Sequence, residues 1–127
     1  MDSKEQRLVV DCYIAAYNAF DIQRMMTMIH QDIEFKSFSG GKVNAVASGE
    51  REFRQLAEQS KELFSSRNQT VKAFESHEDR AGVEVEYEAV LAVDLPNGMN
   101  AGETLRLDGR SEFEFRDGLI YRLADFS

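Results

Sequence analysis

FEFRDGLIYRLADFS, residues 113–127, alternates apolar and polar side chains on both sides of Asp117-Gly118. An Asp-Gly pair between two alternating runs signals a tight β-hairpin, because both central residues of such a turn need positive φ. Phe113 and Phe115 fall on one face, and Glu112, Glu114 and Arg116 on the other. A ribbon with one apolar face must be covered on that side. The only amphipathic helical stretches lie in the first half of the chain, so the pattern predicts a curved sheet folded over helices around a concave interior.

Outward from the hairpin, residues 103–116 alternate along their whole length. Leu105, Leu107, Gly109, Ser111, Phe113 and Phe115 share one face; Arg106, Asp108, Arg110, Glu112, Glu114 and Arg116 share the other. Residues 82–94 repeat the pattern, with Val83, Val85, Tyr87, Ala89, Leu91 and Val93 set against Glu84, Glu86 and Glu88. These acids can pair with the arginines across strands, for about 0.2–1 kcal/mol per exposed pair. Leu95-Pro96-Asn97-Gly98 holds the one proline and reads as a turn. A further strand is expected over 68–77. IEFKSF, 33–38, places Ile33, Phe35 and Ser37 on one face before Ser39-Gly40-Gly41 ends the run; residues 42–48 read as loop.

Three helices are expected ahead of and among these strands. The first spans about 4–20, capped by Ser3 or Asp2, with Leu8, Cys12, Ala15 or Ala16, and Ala19 as its stripe. Tyr13 and Tyr17 are four apart and share a face. The second spans about 22–30, capped by Asp21, with Ile22, Met25, Met26 and Ile29 apolar. The third spans about 50–65 and presents Phe53, Leu56, Ala57, Ser60, Leu63 and Phe64. Helix, helix, strand, helix and then hairpin-linked strands make an α+β domain, helices on one side of a mostly antiparallel sheet.

The 127 residues suit a single domain, 1–127, and 43% apolar content suffices for a core. The net charge of −8, from 23 acidic and 15 basic residues, argues against nucleic acid and anionic membranes as partners. No run of 18 apolar residues is present, and the opening MDSKEQRLVV lacks the apolar stretch of a signal peptide. Cys12 is the only cysteine, which fits a reducing, cytoplasmic setting. It reads as a small packed residue, without a base partner. His30, at the end of the second helix, reads as a partner of that helix's dipole, and His77 as a solvated side chain in an acidic run. Neither has metal-motif spacing, and no cofactor is implied.

The chain resembles the nuclear transport factor 2-like superfamily, and within it the SnoaL-like, ketosteroid isomerase-like proteins. The resemblance rests on YIAAYNAFDIQRMMTMIHQDIEF, 13–35, as an opening helix pair running into the first strand. SGEREFRQL, 48–56, matches the start of the third helix, and GRSEFEFRDGLIYRLADF, 109–126, the closing hairpin. It implies a cone-shaped α+β barrel, three N-terminal helices packed in a strongly curved, mostly antiparallel sheet around an apolar cavity. It also implies a homodimer through the outer sheet face, and either cofactor-independent acid/base catalysis on a hydrophobic small molecule (isomerase, cyclase, dehydratase or hydrolase) or a non-catalytic ligand-binding or interaction module.

Residue by residue, the oxyanion-donating tyrosine of ketosteroid isomerase falls on Tyr13, its base aspartate on Ser37, and its second donor on Ser111. A serine cannot shuttle protons at neutral pH without its own base, so steroid isomerase activity itself is not expected. The remaining lining implied is Tyr13, Tyr17, Phe35, Ser37, Phe53, Tyr87, Ser111 and Phe113, unless its hydroxyls simply satisfy one another. RLADF, 122–126, resembles the family's closing pattern and makes Asp125 the best remaining base, with Tyr13 the other catalytic candidate. If Tyr121, Leu123 and Asp125 face inward, Asp125 is in the cavity. If Ile120, Arg122 and Phe126 do, it is a surface acid.

Overall fold

The computed structural model describes residues 1–127. It holds three helices, α1 (Ser3–Asn18), α2 (Ile22–Thr27) and α3 (Gly49–Lys61). Six strands accompany them: β1 (Ile29–Ser39), β2 (Lys42–Ser48), β3 (Phe64–His77), β4 (Arg80–Leu91), β5 (Thr104–Arg116) and β6 (Leu119–Phe126). The strands form one curved, unclosed sheet in the order β2-β1-β6-β5-β4-β3. Every neighbouring pair is antiparallel except β1 with β6, which is parallel. The expected α+β architecture is present, with the sheet mixed rather than purely antiparallel.

The closing hairpin forms as its alternation predicts. Asp117 and Gly118 have φ of 55° and 76°, the two positive values that a primed turn needs. Its register then slips between Glu114 and Phe115, where Ile120 pairs with Phe115 and Arg122 with Glu114. Tyr121 is the extra residue of a β-bulge. As a result Ile120 and Leu123 both enter the core. They join Val10 and Ile14 of α1, Ile22 and Met25 of α2, Phe53 of α3, and Ile33, Val83, Val85, Phe113 and Phe115 of the sheet. Burying each large apolar side chain contributes about 1.5–3 kcal/mol.

The first helix buries a different stripe from the expected one. Gln6, Val10, Tyr13, Ile14 and Ala16 are buried, while Leu8 is exposed. Both stripes have spacings of three and four; the one that turns inward carries more side-chain volume. Asp2, not Ser3, caps the helix in a reciprocal pair with Glu5. The helix ends in a Schellman motif, with Asp21 N–H on the Ala16 carbonyl at 2.9 Å and Phe20 at φ 58°. Glycine usually takes that position, and an L side chain there costs roughly 1–2 kcal/mol.

Other boundaries move because strand pairing overrides local periodicity. The second helix stops at Thr27, and Ile29 and His30, expected on it, open β1 beside β6. His30 is therefore not a helix-dipole partner. It is buried, its Nδ1 accepts from the Asp32 N–H at 2.9 Å, and its ring packs edge-on against Tyr121. Residues 42–48, expected as loop, form edge strand β2. A register shift between Ser37 and Phe38 breaks the alternation there and leaves Val43 and Val46 both exposed. The third helix ends at Lys61, so Phe64 belongs to β3, which begins four residues earlier than expected. The outer face of β3, β4 and β5 is laced by Lys72–Glu86, Arg106–Glu88 and Arg110–Glu84 pairs, at 2.8, 3.1 and 2.7 Å. His77 is solvated, as expected.

Candidate functional site

Asp125 lies in the middle of a row that crosses three strands. It pairs in register with Ser37 of β1 on one side and Ser111 of β5 on the other. Residues opposite one another across a sheet project to the same face. The Ser111 hydroxyl donates to Asp125 Oδ1 at 2.7 Å. Gly109 makes this approach possible. A Cβ there would sit 2.9 Å from the Phe126 carbonyl oxygen, so any larger residue would push away the end of β6.

The bulge settles the register that the sequence leaves open, and settles it between the two alternatives. Leu123 and Asp125 point inward together with Ile120. Tyr121 leaves the row, and its ring packs against His30 and 3.8 Å from the Arg116 guanidinium.

The inward row opens on a recess of about 520 Å³ lined by Tyr13, Tyr17, Met25, Phe35, Ser37, Asn44, Phe53, Leu56, Arg67 and Asp125, among others. Two larger recesses, about 630 and 620 Å³, lie on the outer sheet face among ion-paired surface groups. The inner one is the candidate site because it alone brings an inward carboxyl, Asp125, together with Tyr13 and Tyr17, all three with ionisation shifted chiefly by burial. Burial pushes the Asp125 carboxyl up to about 6, with the Ser111 hydrogen bond opposing part of the rise. Burial also raises Tyr13 well above the usual phenol range, reinforced by the nearby Asp125 charge. Tyr17 and Tyr87 are raised chiefly by burial. Their hydroxyls share a hydrogen bond at 2.9 Å.

Of the predicted lining, Tyr13, Tyr17, Phe35, Ser37 and Phe53 reach the recess, and Asp125 joins them. Phe35 and Phe53 meet edge to face at 5.6 Å. The other three stand one layer behind. Phe113 supports the Tyr13 ring at 6.2 Å, Ser111 holds Asp125, and Tyr87 holds Tyr17.

The sequence reading missed Arg67. It falls between the helix expected to end near 65 and the strand expected from 68, yet pairs opposite Ala89 as Gln69 does opposite Tyr87 and Val71 opposite Val85. Stepping the alternation of Val71 back by twos would have found it. Asn44 was missed along with β2. Cys12 is half-buried on α1. No three His, Cys, Asp or Glu side chains come together as a metal cluster.

The SnoaL-like domain family profile matches residues 10–123. A search of curated proteins finds no match. Among solved structures, a candidate polyketide cyclase from Xanthomonas campestris superposes with a TM-score of 0.83 at 19% identity, covering 98% of this chain and 90% of that one. A candidate SnoaL-like polyketide cyclase from Shewanella denitrificans gives 0.79 at 15% identity, over 98% and 90% of the two chains. A Catenulispora acidiphila protein of ketosteroid isomerase-like fold, solved in complex with trimethylamine, gives 0.78 at 13% identity, over 94% and 84%. At these identities the likeness establishes the fold.

Proposed function

We propose that this chain, which belongs to the SnoaL-like domain family, binds a small, largely apolar carbonyl compound in the inner recess and moves a proton on it without a cofactor. Asp125 is the base, and Tyr13 is the donor that stabilises the oxygen. The observation that carries this reading is the half-buried, inward-facing Asp125 carboxyl, pushed up to about 6, on the same recess as Tyr13. A base poised near neutrality is ionised often enough to take a proton and weak enough to return it. Asp125 breaks a C–H bond next to the carbonyl, and the electron pair moves onto the carbonyl oxygen. The Tyr13 hydroxyl, which has no hydrogen-bond partner within the chain, donates to that oxygen. Return of the proton elsewhere isomerises the molecule; attack of the same carbanion on a second carbonyl closes a ring. Assembly as a homodimer through the outer sheet face belongs to the same reading, and sedimentation velocity tests it.

The test is deuterium exchange into 2-tetralone, a two-ring ketone, followed by proton NMR in heavy water. The wild type should exchange the protons flanking the carbonyl faster than buffer, and Asp125→Asn should not. Exchange no faster than buffer, or exchange undiminished in Asp125→Asn, overturns the assignment. Binding without exchange would make the recess a ligand carrier.

A further inference from the structure

The recess contains a buried cation without a counter-ion. Arg67 is only 4% exposed. Arg7, Arg80, Arg106, Arg110 and Arg122 each lie within 4 Å of a carboxylate; Arg67 lies near none. Its guanidinium is nonetheless firmly placed. Nε donates to the Tyr17 carbonyl at 2.8 Å, and the group lies 3.7 Å from the Tyr17 ring centre and 4.5 Å from that of Phe20. Phe20 takes up a left-handed backbone conformation in the turn that brings its ring there. Nη2 is enclosed and has no acceptor. Asp125, the carboxyl of the same recess, is committed to Ser111 instead.

Stacking on aromatic rings and one carbonyl contact leave a dehydrated guanidinium short of acceptors. Its five donors, set in a rigid fork, match a carboxylate better than any neutral group. Burying such a charge unpaired is costly, so buried arginines are normally paired. The charge is felt at the hydroxyls of Tyr13, Tyr17 and Tyr87, which places it at the tyrosine wall of the recess.

We infer that Arg67 is the anchoring group of the recess, and that its ligand carries an ionised acidic oxygen, a carboxylate or the anion of an enolic acid, alongside its apolar body. The inference rests on the recess being the ligand site proposed above and requires no chemistry there. The acidic group seats against Arg67 at the tyrosine wall, and the apolar body lies along Phe35, Phe53 and Leu56. Neutral molecules of the same shape are discriminated against because they leave the guanidinium without an acceptor.

Isothermal titration with 2-naphthoate and its neutral analogue 2-naphthamide, at about neutral pH, tests this. The wild type should prefer the naphthoate by about tenfold or more. Arg67→Gln should weaken naphthoate alone and level the two probes. Arg67→Lys, which keeps the charge and loses the fork, should retain part of the preference. Melting curves establish that each variant is folded. If Arg67→Gln does not fold, the wild type and Arg67→Lys decide the matter. Equal affinities in the wild type, no binding of either probe at millimolar concentration, or a preference intact in a folded Arg67→Gln protein overturns the inference. Failure of the proton-transfer reading looks different: naphthoate preference persists while tetralone exchange is absent.

Discussion

Replacing Asp125 with asparagine should change how stability depends on pH, with a sign and size that the structure fixes. The carboxyl titrates at about 6 in the folded chain against 3.8 for an unperturbed aspartate, because burial penalises its charge. The folded state therefore holds this proton more tightly than the unfolded chain does. The resulting stabilisation is fully present below about pH 3.8 and is lost as the pH rises through 6. A shift of roughly two units corresponds to about 3 kcal/mol at about 1.4 kcal/mol per unit. Asparagine cannot ionise, and its oxygen can still accept from Ser111.

The measurement is urea unfolding of both proteins followed by circular dichroism, since the chain has no tryptophan. Subtracting the two stabilities at each pH cancels the other titrating groups. That difference should move by about 2–3 kcal/mol between pH 4 and pH 8, in favour of Asp125→Asn at the higher pH. Any fixed cost of burying the amide displaces the whole curve without changing its slope. A difference that stays flat to within about 0.5 kcal/mol, or moves the other way, would show that the carboxyl is solvated or paired with a cation. Its assignment as a buried base would then fall.

Three other perturbations address neighbouring parts of the argument. Tyr13→Phe removes a hydroxyl that bonds nothing within the chain. It should leave the unfolding midpoint nearly unchanged and weaken 2-tetralone binding, measured by titration calorimetry, by about 0.5–1.5 kcal/mol; unchanged affinity would remove Tyr13 from the site. Ser111→Ala deletes the hydrogen bond that favours the ionised carboxylate. Carbon-13 NMR of the Asp125 carboxyl should then show a midpoint above 6, and an equal or lower midpoint would contradict the geometry. Gly118→Ala adds a methyl that meets nothing within 4 Å, at φ +76°. Its cost is purely conformational, roughly 1–2 kcal/mol by urea unfolding, and no loss would mean that the turn relaxes to another type.

Legibility in the sequence follows the number of neighbours that constrain each element. Strands β4 and β5 lie inside the sheet and bury one face along much of their length, so period-two alternation marks them plainly. Strand β2 lies at the edge, pairs with one neighbour and is interrupted by a bulge, so no clean period survives. Helix α1 has two stripes that satisfy the same spacing, and only packing chooses between them. The placement of Asp125 depends on one inserted residue, Tyr121, and a one-residue slip reverses every side chain beyond it. Periodicity alone cannot contain that information. Arg67 was hidden for a different reason: a charged residue in a polar run looks solvated until the ring of Phe20, more than forty positions away, is seen to cover it.

The row Ser37–Asp125–Ser111 also explains how this interior can differ chemically from that of the steroid isomerase it resembles. On the resemblance, its two carboxyls fall at positions 37 and 111, which flank β6 in this chain. Here both flanking positions are hydroxyls, and the single carboxyl stands between them on β6. In that enzyme an apolar surrounding keeps one carboxyl protonated as a donor while the other serves as base. A lone carboxyl is raised by burial alone and lowered by its serine, which leaves it near 6 and ionised at neutral pH. In the proposed reading the donor role falls to Tyr13, whose proton is held firmly by burial first and by the nearby Asp125 charge second. Arg67 makes no ion pair with Asp125 although both line the recess, so under the proposed reading it serves to orient an acidic ligand rather than to neutralise the base.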